Sequence, residues 1–165
     1  MKMNDVQAAT AGTVGVASVA GAWLCDRFGI LLYVLTILAV MMVIDYFTGM
    51  AASKREAIDH PDDPAYGWSS AKGAIGIFKK FGYLCVILVA MVVDYIIGIA
   101  AAEMGLQFNL KAIFGLVIAV WYLLNELLSI IENAGRMGAP VPEWLKKYIS
   151  VLKNKIESKG ENNDE

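Results

Sequence analysis

Asp45, Asp94 and Glu126 each sit inside a long apolar stretch of this 165-residue chain. An ionisable side chain at the centre of a membrane-crossing helix carries an insertion cost of roughly 2.5–3.5 kcal/mol. Each acid therefore needs a partner, a proton or water, and two readings stand side by side. In the first, the acids line a water-filled lumen or a proton-coupled site. In the second, protonated carboxyls hydrogen-bond between helices or reach an interface. A further polar group, Asn125, Ser129, Glu132, Asn133 and Arg136, recurs at i, i+4, i+7, i+8 and i+11. That spacing is one face of a helix. Ala90, Gly98 and Ala102 flank Asp94 at helical spacing, and such small residues let a second backbone approach closely.

Other chemistries find no support. The chain has no GxSxG, no HExxH and no P-loop, and its glycines do not form a phosphate cradle. The single histidine, His60, lies in a polar segment, and Cys25 and Cys85 are 60 residues apart with no CxxC pair. Neither a metal nor a cofactor is expected, and the two cysteines read as apolar membrane residues. The chain reads as a non-enzyme with no nucleic-acid partner.

The elements that must position these residues follow from composition. Hydrophobic residues make up 58% of the chain, against about 45–50% in a soluble domain. Charged residues make up 18% and come in blocks. Between the blocks lie three nearly uncharged runs, residues 28–52, 81–102 and 112–133, each near the roughly 20 residues that cross a bilayer. They lack the alternation of barrel strands, so they are helices. A fourth run, residues 6–25, is uncharged but built of Ala, Gly, Thr and Ser. Its insertion free energy is near balance. It reads as a weaker span with small residues four apart (Ala8–Gly12, Ala11–Gly15); a signal peptide ending near Ala20-Gly21-Ala22 is the competing reading. Met42–Gly49 and Met91–Gly98 echo each other at an offset of 49 residues, by duplication or by chance.

The expected fold is therefore an all-α integral membrane protein. It has three strong transmembrane helices, a weaker small-residue-rich N-terminal span and a C-terminal amphipathic helix. Residues 1–137 form the membrane domain, with a connecting loop at 53–80, and residues 138–165 form a basic tail. In the tail Leu145, Tyr148, Ile149, Leu152 and Ile156 share a helical face, and most lysines lie opposite. Trp144, Lys146, Lys147, Lys153 and Lys155 are the residues expected to lie on an anionic membrane surface. A short cytoplasmic coiled coil is the alternative.

Three segments resemble one family. Ile44-Asp45-Tyr46-Phe47-Thr48-Gly49-Met50 is similar to its D-Y-x-T-G. Ser69-Ser70-Ala71-Lys72-Gly73-Ala74-Ile75-Gly76-Ile77-Phe78-Lys79-Lys80 is similar to its S-S-x-x-G-x-x-G-I-x-K-K. Asn125-Glu126-Leu127-Leu128-Ser129-Ile130-Ile131-Glu132-Asn133, with Gly138-Ala139-Pro140-Val141-Pro142, is similar to its N-E-x-x-S-x-x-E-N and G-x-P-x-P. The third segment is the most specific, because apolar composition alone would not produce it. The chain resembles the phage-lysis and toxin-secretion holins of Gram-positive bacteria and their phages, over residues 28–150.

The resemblance implies a homo-oligomer in the bacterial cytoplasmic membrane that forms pores and releases an endolysin or a toxin, causing host cell lysis. The cargo is then a functional partner, with or without direct contact. Met1-Lys2-Met3 also resembles the dual start of some holins, in which the longer product restrains the shorter. Two other functions remain open from the residues alone. One is a small proton- or ion-coupled transporter using Asp45, Asp94 and Glu126. The other is a membrane anchor that recruits a cytoplasmic partner through its basic tail.

Eleven of the fourteen Lys and Arg residues lie in segments 53–80 and 134–165. Cationic flanks stay on the cytoplasmic side, which puts both segments and the C-terminus inside and Gly105 outside. Cys25 then lies near the outer face and Cys85 near the inner face. An impermeant thiol reagent applied to whole cells is expected to reach Cys25 far better than Cys85; equal access from outside would overturn this topology.

Overall fold

Each strong apolar run folds into a helix longer than the run itself. The computed structural model describes residues 18–19, 29–63, 65–106 and 112–161, with side chains as far as residue 156. Helix α1 spans Ile30–Asp59, α2 spans Ser70–Glu103, α3 spans Ile113–Arg136 and α4 spans Glu143–Glu161. The first three are long and apolar enough to cross a membrane. No strand occurs among the described residues. Apart from residues 18–19, the weaker span expected at 6–25 lies outside the described residues, as does Cys25.

The segment 53–80 is mostly helix rather than loop. Hydropathy marks the stretch that lipid can cover; it does not mark where a helix ends. Ser53-Lys54-Arg55-Glu56-Ala57 continues α1 with good helix formers. Arg55 and Asp59 add an ion pair one turn apart. At 30 residues α1 is about 45 Å long, against a hydrocarbon core of about 30 Å, so one end projects beyond it. The Ser69 hydroxyl caps α2 by accepting from the Lys72 amide at 3.2 Å. The connection left between α1 and α2 is short and tied down. Lys72 Nζ donates to the carbonyls of Ala65 and Gly67, both at 2.9 Å, and His60 stacks on Tyr66 at 4.2 Å.

The three long helices pack around Leu31, Leu38 and Met42 of α1, Tyr83 and Ile87 of α2, and Ala119 and Tyr122 of α3. Tyr83 and Tyr122 stack face to face at 3.9 Å. Helix α3 is the centre. It packs extensively on α1 and on α2, while α1 and α2 meet only briefly, and α4 packs on α3 alone.

The start of α3 shows why Asp94 is tolerated in an apolar helix. The first turn of any helix leaves amide groups with no partner inside the helix, and lipid offers them none. The N-cap residue is Ala112, in the left-handed conformation (φ 59°), and it has no side chain to accept from them. Asp94 of α2 supplies the acceptors: its two carboxylate oxygens take hydrogen bonds from the amides of Phe114 at 2.9 Å and Gly115 at 2.7 Å. The negative charge also sits at the positive end of the helix dipole. Gly115 makes room for this contact. A Cβ there would stand 3.0 Å from Met91 Cγ and 3.4 Å from both Asp94 Oδ2 and Leu31 Cδ2. Of the small residues flanking Asp94, Ala90 is buried in the bundle, whereas Gly98 has open space beside it.

Replacing the acceptor tests this account. Asp94→Leu removes the partners of an exposed amide, Phe114, and a part-buried one, Gly115, the latter costing about 1–3 kcal/mol when left unsatisfied. We expect a lower midpoint of thermal unfolding in detergent and faster hydrogen exchange at Phe114 and Gly115. Asp94→Asn, which keeps one acceptor, should fall between. Wild-type protection in Asp94→Leu would show that the cap does not hold the first turn of α3.

Candidate functional site

On facing sides of α1 and α3, polar residues recur at spacings that return to the same helical face. Asp45 and Thr48 lie one turn apart on α1, with Glu56 two turns further on. Glu126 and Asn133 lie seven residues apart on α3, with Arg136 one turn beyond Asn133. Helix α2 brings one cation between them. Lys80 Nζ donates to Asp45 Oδ2 at 2.8 Å and also to Glu126 Oε2. Glu126 is 3% exposed and Asn133 5%, so neither relies on bulk solvent.

The contacts form one chain from the bundle interior to its surface. Asn133 Nδ2 donates to Asp45 Oδ1 at 3.1 Å and to Thr48 Oγ1 at 3.3 Å. Arg136 Nη1 donates to Asn133 Oδ1 at 3.0 Å. Arg136 then grips Glu56 with two parallel hydrogen bonds, Nε to Oε1 at 2.8 Å and Nη2 to Oε2 at 2.7 Å. Such fork-to-fork pairing is directional as well as strong. A cleft of about 220 Å³ opens beside this chain, lined among others by Asp45, Ser53, Lys72, Lys80, Ser129 and Asn133. It is polar enough to hold water against the network. With both carboxylates ionised, Lys80, Asp45 and Glu126 carry one excess negative charge, which water in the cleft can help to screen.

The structure thus joins Asp45, Glu126 and Asn133 and places Ser129 on the wall of the same cleft. It does not join Asn125 or Glu132. Each precedes a network residue by one position, and one position turns a helix by about 100°. Asn125 is half-buried on the flank of α3, and Glu132 is exposed. Asp94 stands apart from the network, at the other end of α3.

The tail residues are divided as well. Trp144, Lys147, Tyr148 and Lys155 are exposed, whereas Lys153 Nζ lies over the Trp121 ring of α3 at 5.3 Å. Lys146 is half-buried, 4.0 Å from Glu143. Among the described residues no three His, Cys, Asp or Glu side chains cluster in a way that could hold a metal ion.

Sequence reasoning missed Lys80, Thr48 and Glu56. In the sequence Lys80 reads as a loop cation, because it ends the segment before the second apolar run. A signal was present: two acids at the same depth require a cation, and Lys79-Lys80 is the pair nearest to that depth on the neighbouring helix.

Comparison with known proteins gives the site a context. The model of the bacteriophage holin family matches residues 22–154. An uncharacterised protein of Halalkalibacterium halodurans is 36% identical over 138 residues, which cover 83% of this chain and 90% of the relative. An uncharacterised protein of Clostridium perfringens is 30% identical over 118 residues, 72% of this chain and 73% of the relative. One of Listeria innocua is 30% identical over 141 residues, covering 83% and 84%. No solved structure matches the chain.

The network makes its own prediction. Lys80→Met leaves two inward-facing carboxylates without their cation, a change that costs about 3–5 kcal/mol when one partner of a buried pair is lost. We expect a marked fall in thermal stability of the detergent-solubilised protein. Lys80→Met combined with Asp45→Asn and Glu126→Gln should recover most of it. A single Lys80→Met variant as stable as wild type would show that the ion pairs do not hold the three helices together.

Proposed function

The chain belongs to the bacteriophage holin family, and from that premise we propose that it assembles with copies of itself in a bacterial cytoplasmic membrane and opens holes that release a cell-wall hydrolase or a toxin. The observation that carries this reading is the family match across residues 22–154, which includes the three membrane spans and the Asn125–Pro142 segment. The geometry supports it in a specific way. A hole-forming protein must first reside in an intact bilayer, and so must keep its polar residues satisfied without water on all sides. The Asp45–Lys80–Glu126–Asn133 network does this within one chain. The same residues, exposed on a rearranged helix face, have the polarity of a wet lumen wall.

In this reading the closed molecule holds its ionisable groups paired among α1, α2 and α3. Association in the membrane then exchanges intramolecular pairs for water and for contacts with neighbouring copies. The cationic ends of α1 and α2 and the tail stay on the cytoplasmic side.

Timed expression tests the proposal. The chain is induced in a bacterium with and without a co-expressed endolysin that lacks its own export signal. Expected are an abrupt collapse of membrane potential at a reproducible time and, with the endolysin present, lysis at that moment. Continued growth with both proteins present would overturn the hole-forming reading and favour a transporter or an anchor.

A further inference from the structure

Helix α3 is enclosed along its middle. No residue from 118 to 131 is exposed, whereas large apolar side chains are exposed on α1 from Ile30 to Phe47 and on α2 from Ile75 to Ile99. The side of α3 bearing Trp121 faces α4, which folds back along it from a turn at residues 137–142. That turn holds α4 to α3 by few main-chain bonds. Gly138 has a positive φ of 92°, and the next four residues, Ala139-Pro140-Val141-Pro142, include two that have no amide to donate.

The seat of α4 is shallow and chemically mixed. Among its described side chains only Ile149 is buried, and the half-buried positions beside it include Lys146 and Lys153. Its strongest apolar ridge, Trp144, Tyr148, Val151 and Leu152, points away from α3. Lys153 lies over Trp121, which stands 15 residues before Arg136 and so about 22 Å along the helix from it. In the docked state that cation lies well within the length of a membrane-crossing helix, where charge is disfavoured. The apolar face of Leu145, Tyr148, Ile149, Leu152 and Ile156, with most lysines outside it, is, by contrast, the pattern of a helix lying in an anionic membrane surface. Leu145, Ile149 and Ile156 of that face are the residues covered in the docked state, so the two seats compete for one face of α4 and exclude each other.

We propose that α4 is an intramolecular latch: docked, it covers the Trp121 face of α3, and released onto the anionic inner leaflet, it leaves that face for the α3 helix of a second copy. The latch rests on the hole-forming reading for its purpose, but it makes a separate claim, namely that self-association requires α4 to leave α3.

The test fixes α4 in place. In full-length protein with Cys25→Ser and Cys85→Ser, Trp121→Cys and Lys153→Cys are bridged in detergent by a short reducible bis(methanethiosulfonate) linker. The protein is then reconstituted into vesicles of phosphatidylglycerol and phosphatidylethanolamine. Copy-to-copy association is read by amine cross-linking, and leakage by release of a trapped dye. The bridged protein is expected to remain monomeric and to retain the dye, and reductant should restore both association and leakage. Association of the bridged protein equal to that of the reduced protein would overturn the latch, as would reduced protein that stays monomeric. Reduced protein that associates without leaking supports the latch and counts against hole formation, so the two claims fail separately. Lys153→Glu, which removes the cation from the Trp121 ring, gives a second reading. It should associate at a severalfold lower protein-to-lipid ratio than wild type, and an unchanged threshold would count against the latch.

Discussion

A carboxylate carried into a bilayer loses the water that stabilised its charge, and most of this structure follows from how Asp45 and Glu126 replace it. Neither helix that bears them can do so alone, because α1 and α3 offer no cation at that depth. Lys80 must therefore come from α2, and its two hydrogen bonds, to Asp45 and to Glu126, fix where α2 lies against the α1–α3 pair. This explains an otherwise odd packing arrangement. Helices α1 and α2 barely meet, yet both are locked to α3, with Tyr83 stacked on Tyr122 on the same side as the lysine. A buried ion pair is weak evidence for net stability but strongly specifies geometry, since breaking it leaves an unpaired charge. Here its two contacts join one residue from each of the three helices, Lys80, Asp45 and Glu126.

The same rule governs the other end of the bundle, where the groups in need are backbone amides. Ala112 cannot cap α3, and Asp94 does so from the neighbouring helix. One acid thus secures one end of α3 while the Lys80 network secures the stretch toward the other. Gly115 is part of this device, since the close approach of Asp94 and Met91 leaves little room for a Cβ.

Legibility in the sequence followed the physics of each signal. The three spans were legible because a bilayer demands a long uninterrupted apolar run, and 28–52, 81–102 and 112–133 satisfy that demand by composition alone. Helix ends were not. The segment 53–59 is polar and 70–80 is interrupted by Lys72, Lys79 and Lys80, and local propensity, the Ser69 cap and the Arg55–Asp59 pair help to carry α1 and α2 through them. Asp45, Glu126 and Asn133 stood out as polar residues in apolar surroundings. Their joining through Lys80 did not, because pairing across 35 and 46 positions depends on helix rotation, which one sequence does not encode visibly. The role of Asp94 was hidden for a different reason: its partners are main-chain groups, present at every residue and marked by none.

Helix α3 shows why so many of these constraints meet in one element. It carries two polar pairs at seven-residue spacing, Glu126 with Asn133 and Asn125 with Glu132, offset from each other by one position. Seven residues are close to two turns, so each pair forms a face, and the offset turns the second face by about 100° from the first. A helix with a single polar face can rest that face on one neighbour and give the rest to lipid. A helix with two polar faces has too narrow an apolar arc for that, and it requires neighbours on more than one side. Helices α1 and α2 take the Glu126–Asn133 face, and α4 packs on α3 from elsewhere around its circumference. The polar motif that makes α3 recognisable in the sequence is thus also what makes it central in the fold: it is the helix least able to stand in lipid, and so the one the others must enclose.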